Sequence, residues 1–594
     1  MSPARVQRVH GALVEAGPLP GVGLHELLLV GPVGLLGEVI RVRGDVATVQ
    51  VFEDTTGLCT GDLVQPTGAP LELQLGPGLL GAVLDGIGRP LARLAALGGD
   101  RIPAGARLPT LDEERRWSFQ AALSPGAEVA GGDVLGTVDE GLSHRIMVPP
   151  GLSGRLARLD SGDFNIGQAV GELEDGTPLR LAHRWPVRRP RPVAGRLRAT
   201  RPFVTGQRLI DLLFPVAEGG TVAMPGGFGT GKTVLEQSLA RHAMADVVVY
   251  IGCGERGNEM AEVLDEFPAL LDPRSGRSLM ERTVLVVNTS NMPVAAREAS
   301  VPLGLSIAEY YRDMGLGVAV LADSLSRWAE ALREIGSRLQ EMPGEEGYPT
   351  SLGSRLGRLV ERAGRVRAAG RPERTGALTF IGAISPPGGD FSEPVTQASL
   401  RVAGALWALD ARLARQRQFP AVSWEQSYSA YVPAVAPGFS EQAGTDWTQL
   451  RQRVLSQLQR ERELREVAEL VGVSALEETD RLVLESGALL RELVIGQNAY
   501  DPADACSSPA RTGTLATLVL ALHDQAVLAI AAGAPFAALP LGPARQALVA
   551  VRDAGPEALE TAVAAARQAV ATLPATLPAA AAESPLSGPP EVEA

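Results

Sequence analysis

The spacing of apolar residues changes character several times along the chain. Up to about residue 70, short β-prone runs alternate with glycine turns, as in Gly37-Glu38-Val39-Ile40-Arg41-Val42 followed by 46–51. Short, evenly spaced runs of this kind predict a small β-barrel. A second β-rich stretch runs from about 110 to 190, with turns at Gly131-Gly132-Asp133, Pro149-Pro150-Gly151 and Glu174-Asp175-Gly176. It leaves through the basic, Pro-rich Trp185-Pro186-Val187-Arg188-Arg189-Pro190-Arg191-Pro192, which reads as a boundary. From about 193 to 435, compact apolar runs at 247–251, 284–287, 318–322 and 378–383 alternate with helical stretches. Runs without a polar alternate position predict strands buried on both faces, hence a covered parallel sheet.

From about 440 onward the period is helical. Leu450, Val454, Leu458 and Leu464 predict one apolar stripe, and Ser474 with Glu477 predicts a capping box for the next helix. The apolar stretch 515–541 is broken by His523, Asp524, Gln525 and Pro535, so it predicts a buried helix and not a membrane span. The end of the chain is Ala/Pro-rich and acidic, which predicts disorder. The expected fold class is multidomain α+β. A β-barrel covers 1–75 and a β-rich insertion 110–190. An α/β nucleotide-binding domain is built from 76–109 and 191–437, a helical domain covers 438–575, and a disordered tail 576–594.

Composition narrows the classes. The chain has 594 residues, 45% of them hydrophobic, enough for several cores. A net charge of −13 argues against a nucleic-acid binder with a general electrostatic grip. Cys59, Cys253 and Cys506 are scattered, without a CxxC pair, and imply neither a metal site nor a disulfide framework. Cys253 reads as a small buried hydrophobe. The first ten residues carry charges and no apolar core, unlike a secretory signal.

The cation usage is the sharpest chemical signal. Of 55 lysine and arginine residues only one, Lys232, is a lysine. It ends the run Gly226-Gly227-Phe228-Gly229-Thr230-Gly231-Lys232, followed by Thr233. The glycines let backbone N–H groups wrap phosphates, and a compact ammonium reaches along a triphosphate where a planar guanidinium fits poorly. The context suits a P-loop, with 221–224 reading as the preceding strand and 234–242 as the following helix. Thr233 would offer its hydroxyl to Mg²⁺. The apolar run Val318-Ala319-Val320-Leu321-Ala322-Asp323 ends in a carboxylate, which is what a hydrated Mg²⁺ opposite that hydroxyl needs, although a lone strand-end Asp can also be a loop cap. Glu255 and Arg256 follow the run 247–251. Glu255 is a candidate water activator and Arg256 a candidate phosphate ligand; by spacing alone they also read as a surface ion pair.

These stretches together resemble the catalytic A subunit of V/A-type rotary ATPases, the bacterial and archaeal relatives of the vacuolar proton pump. The resemblance rests on Gly206-Gln207-Arg208-Leu209-Ile210-Asp211, the P-loop, Gly254-Glu255-Arg256-Gly257-Asn258-Glu259 and Asn288-Thr289-Ser290-Asn291-Met292-Pro293. It extends through Asp323-Ser324-Leu325-Ser326-Arg327-Trp328, Ser385-Pro386-Pro387-Gly388-Gly389-Asp390 and Gln497-Asn498-Ala499-Tyr500-Asp501-Pro502. The insertion at 110–190 is itself diagnostic of that family. The resemblance implies a P-loop (RecA-like) central domain and a C-terminal helical bundle.

It also implies roles. Lys232, Glu255, Arg256 and Arg327 would be catalytic, with Thr233 and Asp323 on Mg²⁺. Phe419 would form one wall of an adenine pocket, with Ala499 and Tyr500 as the other; ordinary core packing is the plain alternative for these. The implied partners are a B subunit in an alternating A3B3 ring, which would supply an arginine finger, the central rotor shaft subunits and a peripheral stalk. No nucleic acid is implied. The chain would be cytoplasmic, on the cytoplasmic face of the cell membrane, reaching the membrane only through the ion-translocating sector. The activity would be ATP hydrolysis or synthesis coupled to H⁺ or Na⁺ transport, with ATP/ADP and Mg²⁺. Leu325 stands where relatives usually carry Thr, 348–358 has extra Gly, and Thr230 replaces the P-loop cysteine of eukaryotic relatives. Another hexameric ring ATPase, Rho-like or of secretion type, and a noncatalytic nucleotide-binding scaffold are the competing expectations.

Overall fold

The computed structural model describes residues 3–99 and 101–573; the tail expected at 576–594 lies outside the described residues. The chain divides into two compact units, one made of Met1–Thr205, Phe214–Arg417 and Ala421–Val435, the other of Gly206–Leu213, Gln418–Pro420 and Ala436–Ala594.

The first unit begins with six strands, Arg5–His10, Leu13–Gly17, Glu26–Val30, Leu35–Arg43, Val46–Val51 and Val64–Pro70. In space they follow the order first, second, fifth, fourth, third, sixth. The sheet closes on itself because Val6 N donates to Asp62 O at 2.8 Å and Val64 N to Ala4 O at 2.9 Å. Val14, Leu28, Val30, Val39, Val49 and Val51 fill the inside. Closure removes the exposed edges that such short strands would otherwise leave.

The insertion forms two four-stranded antiparallel sheets. One joins Glu128–Ala130, Ser153–Leu159, Ala169–Leu173 and Pro178–Arg180; the other joins Ser143–Met147, Val134–Asp139, Arg116–Ala121 and Gly162–Asn165. Trp117, Phe119, Leu135, Val138, Ile146, Leu156 and Val170 are buried within it. It is tied to the central domain by polar bonds: Arg374 donates to Gly132 O at 2.7 Å, Arg371 N to Asp133 at 2.5 Å, and His144 Nε2 meets the Tyr310 hydroxyl at 2.9 Å.

The central sheet carries five parallel strands, β1 Thr221–Pro225, β2 Val247–Glu255, β3 Thr283–Thr289, β4 Gly317–Asp323 and β5 Thr375–Ile384. Their spatial order is β1-β5-β4-β2-β3. The apolar runs read from sequence all lie in these strands, and nearly every residue of them is buried. The helices that matter for the site are α1 Lys232–His242, α2 Gly257–Ala269, α3 Val294–Asp313 and α4 Leu325–Arg338.

Glu38 of the barrel ties this domain to its neighbours. Arg188 donates to Glu38 through Nε and Nη2 at 2.7 Å each, and its Nη1 reaches Glu298 of α3 at 2.9 Å. His25 Nδ1 lies 3.1 Å from Glu38.

The second unit is helical, with α5 Trp447–Val471, α6 Glu478–Leu489, α7 Pro509–Ala531, α8 Leu541–Asp553 and α9 Leu559–Ala571. Leu450, Val454, Leu458 and Leu464 are buried along α5 as the period predicts. The expected capping box is not formed: Ser474 lies in a 3-10 turn, and Glu477 precedes α6 without a side-chain cap bond. Arg481 occupies that place, reaching back to Leu476 O at 2.9 Å and to Ser474 O. Among the described residues α7 alone is long and apolar enough to cross a membrane. Leu515, Val519, Leu522 and Ala526 are buried, and Asp524 pairs with Arg453 of α5 at 2.8 Å, so it serves as a core helix here. The segment 206–213 is held in this unit by the buried Arg208, whose guanidinium takes Asp504 at 2.6 Å and Gly496 O at 2.5 Å.

Burial alone raises the Glu38 carboxyl, but the charge of Arg188 and the hydrogen bonds from His25 and Arg188 outweigh it and leave Glu38 below its ordinary 4.5. A lowered carboxyl stabilises above the unfolded value, and that stability is lost as pH falls through the folded one. Glu38→Gln is expected to cost about 2 kcal/mol at pH 7, less than a fully orphaned partner because Arg188 keeps Glu298. The cost should vanish as pH drops below 4.5. Hydrogen exchange of the barrel amides reads both effects, and a pH-independent difference would mean that the ion pair is not their origin.

Candidate functional site

The site lies where the parallel strands end. Because β1, β5, β4 and β2 are neighbours in that order, the residues at their carboxyl ends form a row: the P-loop after β1, Ser385 after β5, Asp323 closing β4 and Glu255 closing β2. Ligands collect at this edge in open α/β sheets because the strands themselves are covered on both faces.

The loop Gly226 to Gly231 turns tightly into α1. Gly229 and Gly231 have φ of 74° and 79°, a region that a Cβ disfavours. Gly226 N donates to Ile384 O at 3.0 Å, which fixes the start of the loop to β5. Thr230 is buried and its hydroxyl donates to Gly227 O at 2.8 Å, bracing the turn from inside. Phe228 is 82% exposed, and the guanidinium of Arg256 sits 5.0 Å from its ring centre. Lys232 and Thr233 open α1, so their side chains stand at the positive end of its dipole together with unpaired N–H groups.

Lys232 Nζ donates to Gly226 O at 2.9 Å, to Ile384 O at 3.3 Å and to Ser385 Oγ. Burial lowers its pKa, with Asp323, Glu236, Glu255 and Glu259 acting in the opposite sense. Asp323 is buried, and burial raises its carboxyl against the pull of Lys232. Glu236, one turn along α1, is fully buried and hydrogen-bonds Asp323; burial and that neighbour hold it well above the carboxylate range, so it carries a proton. Glu255 is pushed up to about 8, first by burial, then by the Asp323 charge and a hydrogen bond with Glu259, while Ser324 pulls it down. A half-buried carboxyl of this basicity suits proton transfer near neutral pH.

Gly254, with φ of 72°, lets Glu255 leave the strand. A Cβ there would stand 2.8 Å from Arg297 Cδ and from Arg327 Cβ. Arg327 thus comes alongside the Glu255 strand end, with its guanidinium on Glu330 at 2.8 Å. Cys253 is buried with its thiol raised to about 12, in keeping with a packing role. Leu325, in place of a hydroxyl residue, fills the notch at Gly382, where a Cβ would come within 2.4 Å of it.

Oxygen donors suit a hard cation here. Glu255 Oε1, Glu236 Oε1 and Ser324 Oγ are buried without a hydrogen-bond partner. Among the described residues no three Asp, Glu, His or Cys side chains form a cage for a metal. One buried carboxylate and one hydroxyl is the donor set for Mg²⁺ that arrives on a triphosphate, because Mg²⁺ keeps waters and phosphate oxygens as its other ligands.

In the second unit, Gln497 N donates to Phe419 O at 2.7 Å, which brings Phe419 beside the segment holding Ala499 and Tyr500. Phe419 and Ala499 are half-buried and Tyr500 is 84% exposed, so this aromatic is free to stack. Ser385, Glu236, Ser324 and Arg297 were not singled out from sequence. Ser385 begins a Gly/Pro-rich stretch that draws attention, whereas nothing in the pattern distinguishes Glu236 from an ordinary helix residue.

Comparison with known proteins agrees with this arrangement. The chain matches the ATP synthase alpha/beta family nucleotide-binding domain over 206–429, the barrel-sandwich domain of that family over 108–188, its beta-barrel domain over 6–68 and the C-terminal domain of V and A type ATP synthase over 437–538. The V-type ATP synthase alpha chain of Anaeromyxobacter dehalogenans is 56% identical over 533 residues, 89% of this chain and 92% of that one. The second of the A-type ATP synthase catalytic-type A subunits of Methanospirillum hungatei is 50% identical over 549 residues, 92% of this chain and 94% of that one. Among solved structures, the assembled type III secretion ATPase EscN of enteropathogenic E. coli superposes with a TM-score of 0.61 at 23% identity, covering 87% of this chain and 100% of that one, a likeness of fold alone. Sharing half or more of its residues with these relatives over nearly its whole length, the chain belongs to the family of V-type and A-type ATP synthase alpha (A) subunits.

Proposed function

We propose that this chain hydrolyses or synthesises ATP as the catalytic component of a V/A-type rotary ATPase, coupled through its complex to H⁺ or Na⁺ transport. The observation that carries the reading is the row of strand ends that sets Lys232, Asp323 and Glu255 along one edge of the sheet. A scaffold that only bound nucleotide would have no need of a buried, raised carboxyl there.

In this reading Lys232 and the loop N–H groups bind the phosphates, and Arg256 adds a charge from the start of α2. Thr233 and Asp323 hold Mg²⁺, which would supply charge neutralisation between the phosphates. Glu255 orients the attacking water and takes its proton. Arg327 lies next to Glu255 and steadies charge on that side. Phe419, Ala499 and Tyr500 receive the adenine. The family relation also supports partners beyond this chain: a B subunit in an A3B3 ring that contributes an arginine across the interface, central shaft subunits and a peripheral stalk. The apolar end of α5, where Leu470 is 87% exposed next to Val471 and Val473, suits contact with such a shaft. The chain would then work on the cytoplasmic face of the membrane without entering it. Domain limits of 1–75, 110–190, 76–109 with 191–437, and 438–575 fit this division of labour.

Two measurements test the reading. In the complex with its B partner, Glu255→Gln should lower MgATP turnover by about 10²–10⁴-fold while nucleotide binding is kept; near-normal turnover would place the chemistry elsewhere. Lys232 carries the chain's only ε-amine, and its lowered pKa makes it the more reactive. An amine-acylating reagent should therefore modify Lys232 and the α-amino group alone by peptide mass spectrometry, with MgATP protecting Lys232. Unprotected labelling would remove Lys232 from the phosphate site.

A further inference from the structure

We propose that Ser385 is a positioning residue for Lys232, holding its ammonium on neutral oxygens and away from Asp323. The proposal rests on the nucleotide-binding reading of the P-loop and assigns that site a further determinant.

The strand order gives the first argument. β5 runs between β1 and β4, so the residue that follows it stands between the lysine after β1 and the carboxylate that ends β4. Hydrogen bonding gives the second. An ammonium has three N–H donors and Lys232 has three acceptors, Gly226 O, Ile384 O and Ser385 Oγ, none of them a carboxylate. Two of these are backbone carbonyls, and Ile384 O is also engaged by Gly226 N. Ser385 Oγ is the only one of the three that a side chain supplies.

The backbone of Ser385 is itself fixed. Its N–H donates to Ser326 Oγ at 2.8 Å, and Ser326 lies in the first turn of α4, directly after Asp323 and Ser324. Beyond Ser385 the chain turns back over the P-loop, where a Cβ on Gly227 would lie 3.7 Å from Gly389 Cα. One residue thus joins the lysine, the start of α4 and the loop 386–390.

The electrostatics show what this holding is for. Lys232 feels attraction from Asp323, Glu236, Glu255 and Glu259. Its stem is long and flexible, so an ammonium short of an acceptor would turn toward the nearest carboxylate and neutralise it. A cation held on neutral oxygens keeps its charge for an incoming phosphate and leaves Asp323 free to act as a ligand.

The test is a double-mutant cycle in the complex with its B partner. Turnover is measured with MgATP, and binding with a fluorescent ATP analogue plus Mg²⁺. Ser385→Ala should raise KM and the analogue's Kd about 5- to 20-fold, the weight of one charge-assisted hydrogen bond partly replaced by water, with kcat within about twofold. Ser385→Thr, which keeps the hydroxyl, should restore the wild-type constants. In a Lys232→Gln background, Ser385→Ala should change Kd by less than about twofold, because its partner is already gone. An unchanged KM in Ser385→Ala, a defect that Thr does not repair, or an equal loss without Lys232 would each overturn the proposal. A wild-type complex that fails to bind the analogue would overturn the nucleotide reading, and this one with it.

Discussion

The site depends on keeping one ammonium charged and apart among acids. Lys232 is half-buried, which costs a cation its hydration, and carboxyls on three elements surround it. At effective dielectric constants near 20, an ion pair at about 4 Å gains roughly 4 kcal/mol, enough to draw the stem onto Asp323. The structure places carbonyl and hydroxyl oxygens where that contact would otherwise form. The acids answer by holding protons. Glu236 is raised by burial and by Asp323, and Glu255 by burial and the same neighbour. Charge is thus concentrated on few atoms, and the unpartnered oxygens of Glu255 and Ser324 are where a metal-bearing phosphate would be received.

The sheet makes this possible without long loops. Strands buried on both faces have polar freedom only at their ends, so chemistry is confined to the row that the strand order lays out. The order β1-β5-β4-β2 puts the phosphate loop and the water-activating candidate on either side of Ser385 and Asp323. Small residues open the space: Gly254 admits Arg297 and Arg327, and Gly382 admits Leu325. A side chain at either glycine would push α3 or α4 away from the strand ends, and the acids would move with them.

Much of this was legible in the sequence for physical reasons. A P-loop needs glycines at fixed offsets and a lysine before a hydroxyl, so Gly226 to Thr233 declares itself. Asp323 and Glu255 follow apolar runs whose ends the strand period locates within a residue. The alternation of the barrel and the stripe Leu450, Val454, Leu458, Leu464 follow from periods that burial imposes. What escaped depends on strand order, which no local pattern encodes. Ser385 matters only because β5 is inserted between β1 and β4, and Glu236 only because α1 turns it toward Asp323. The capping box failed for a related reason. Ser474 and Glu477 have the right spacing, but Arg481 takes the carbonyls of Ser474 and Leu476 and shapes a 3-10 turn there instead.

The arginine-for-lysine usage is consistent with the same physics. Buried arginines here serve as anchors for several backbone carbonyls at once. Arg374 bonds Asp313 O, Gly132 O and Ala369 O; Arg282 bonds Ala245 O, Ala240 O and Arg241 O; Arg208 bonds Gly496 O and Val494 O beside Asp504. A planar fork of five donors can satisfy converging carbonyls from separate segments, and an ammonium with three donors on one atom cannot span them. At the P-loop the demand is reversed. The acceptors Gly226 O, Ile384 O and Ser385 Oγ converge on one point, and a phosphate must be able to take the place of some of them. A guanidinium there would spread its donors beyond that point and leave some of them buried and unpaired, which costs about 1–3 kcal/mol each, more for a charged group. The convergence of those three oxygens is therefore a local reason why this position, among so many arginines, is a lysine.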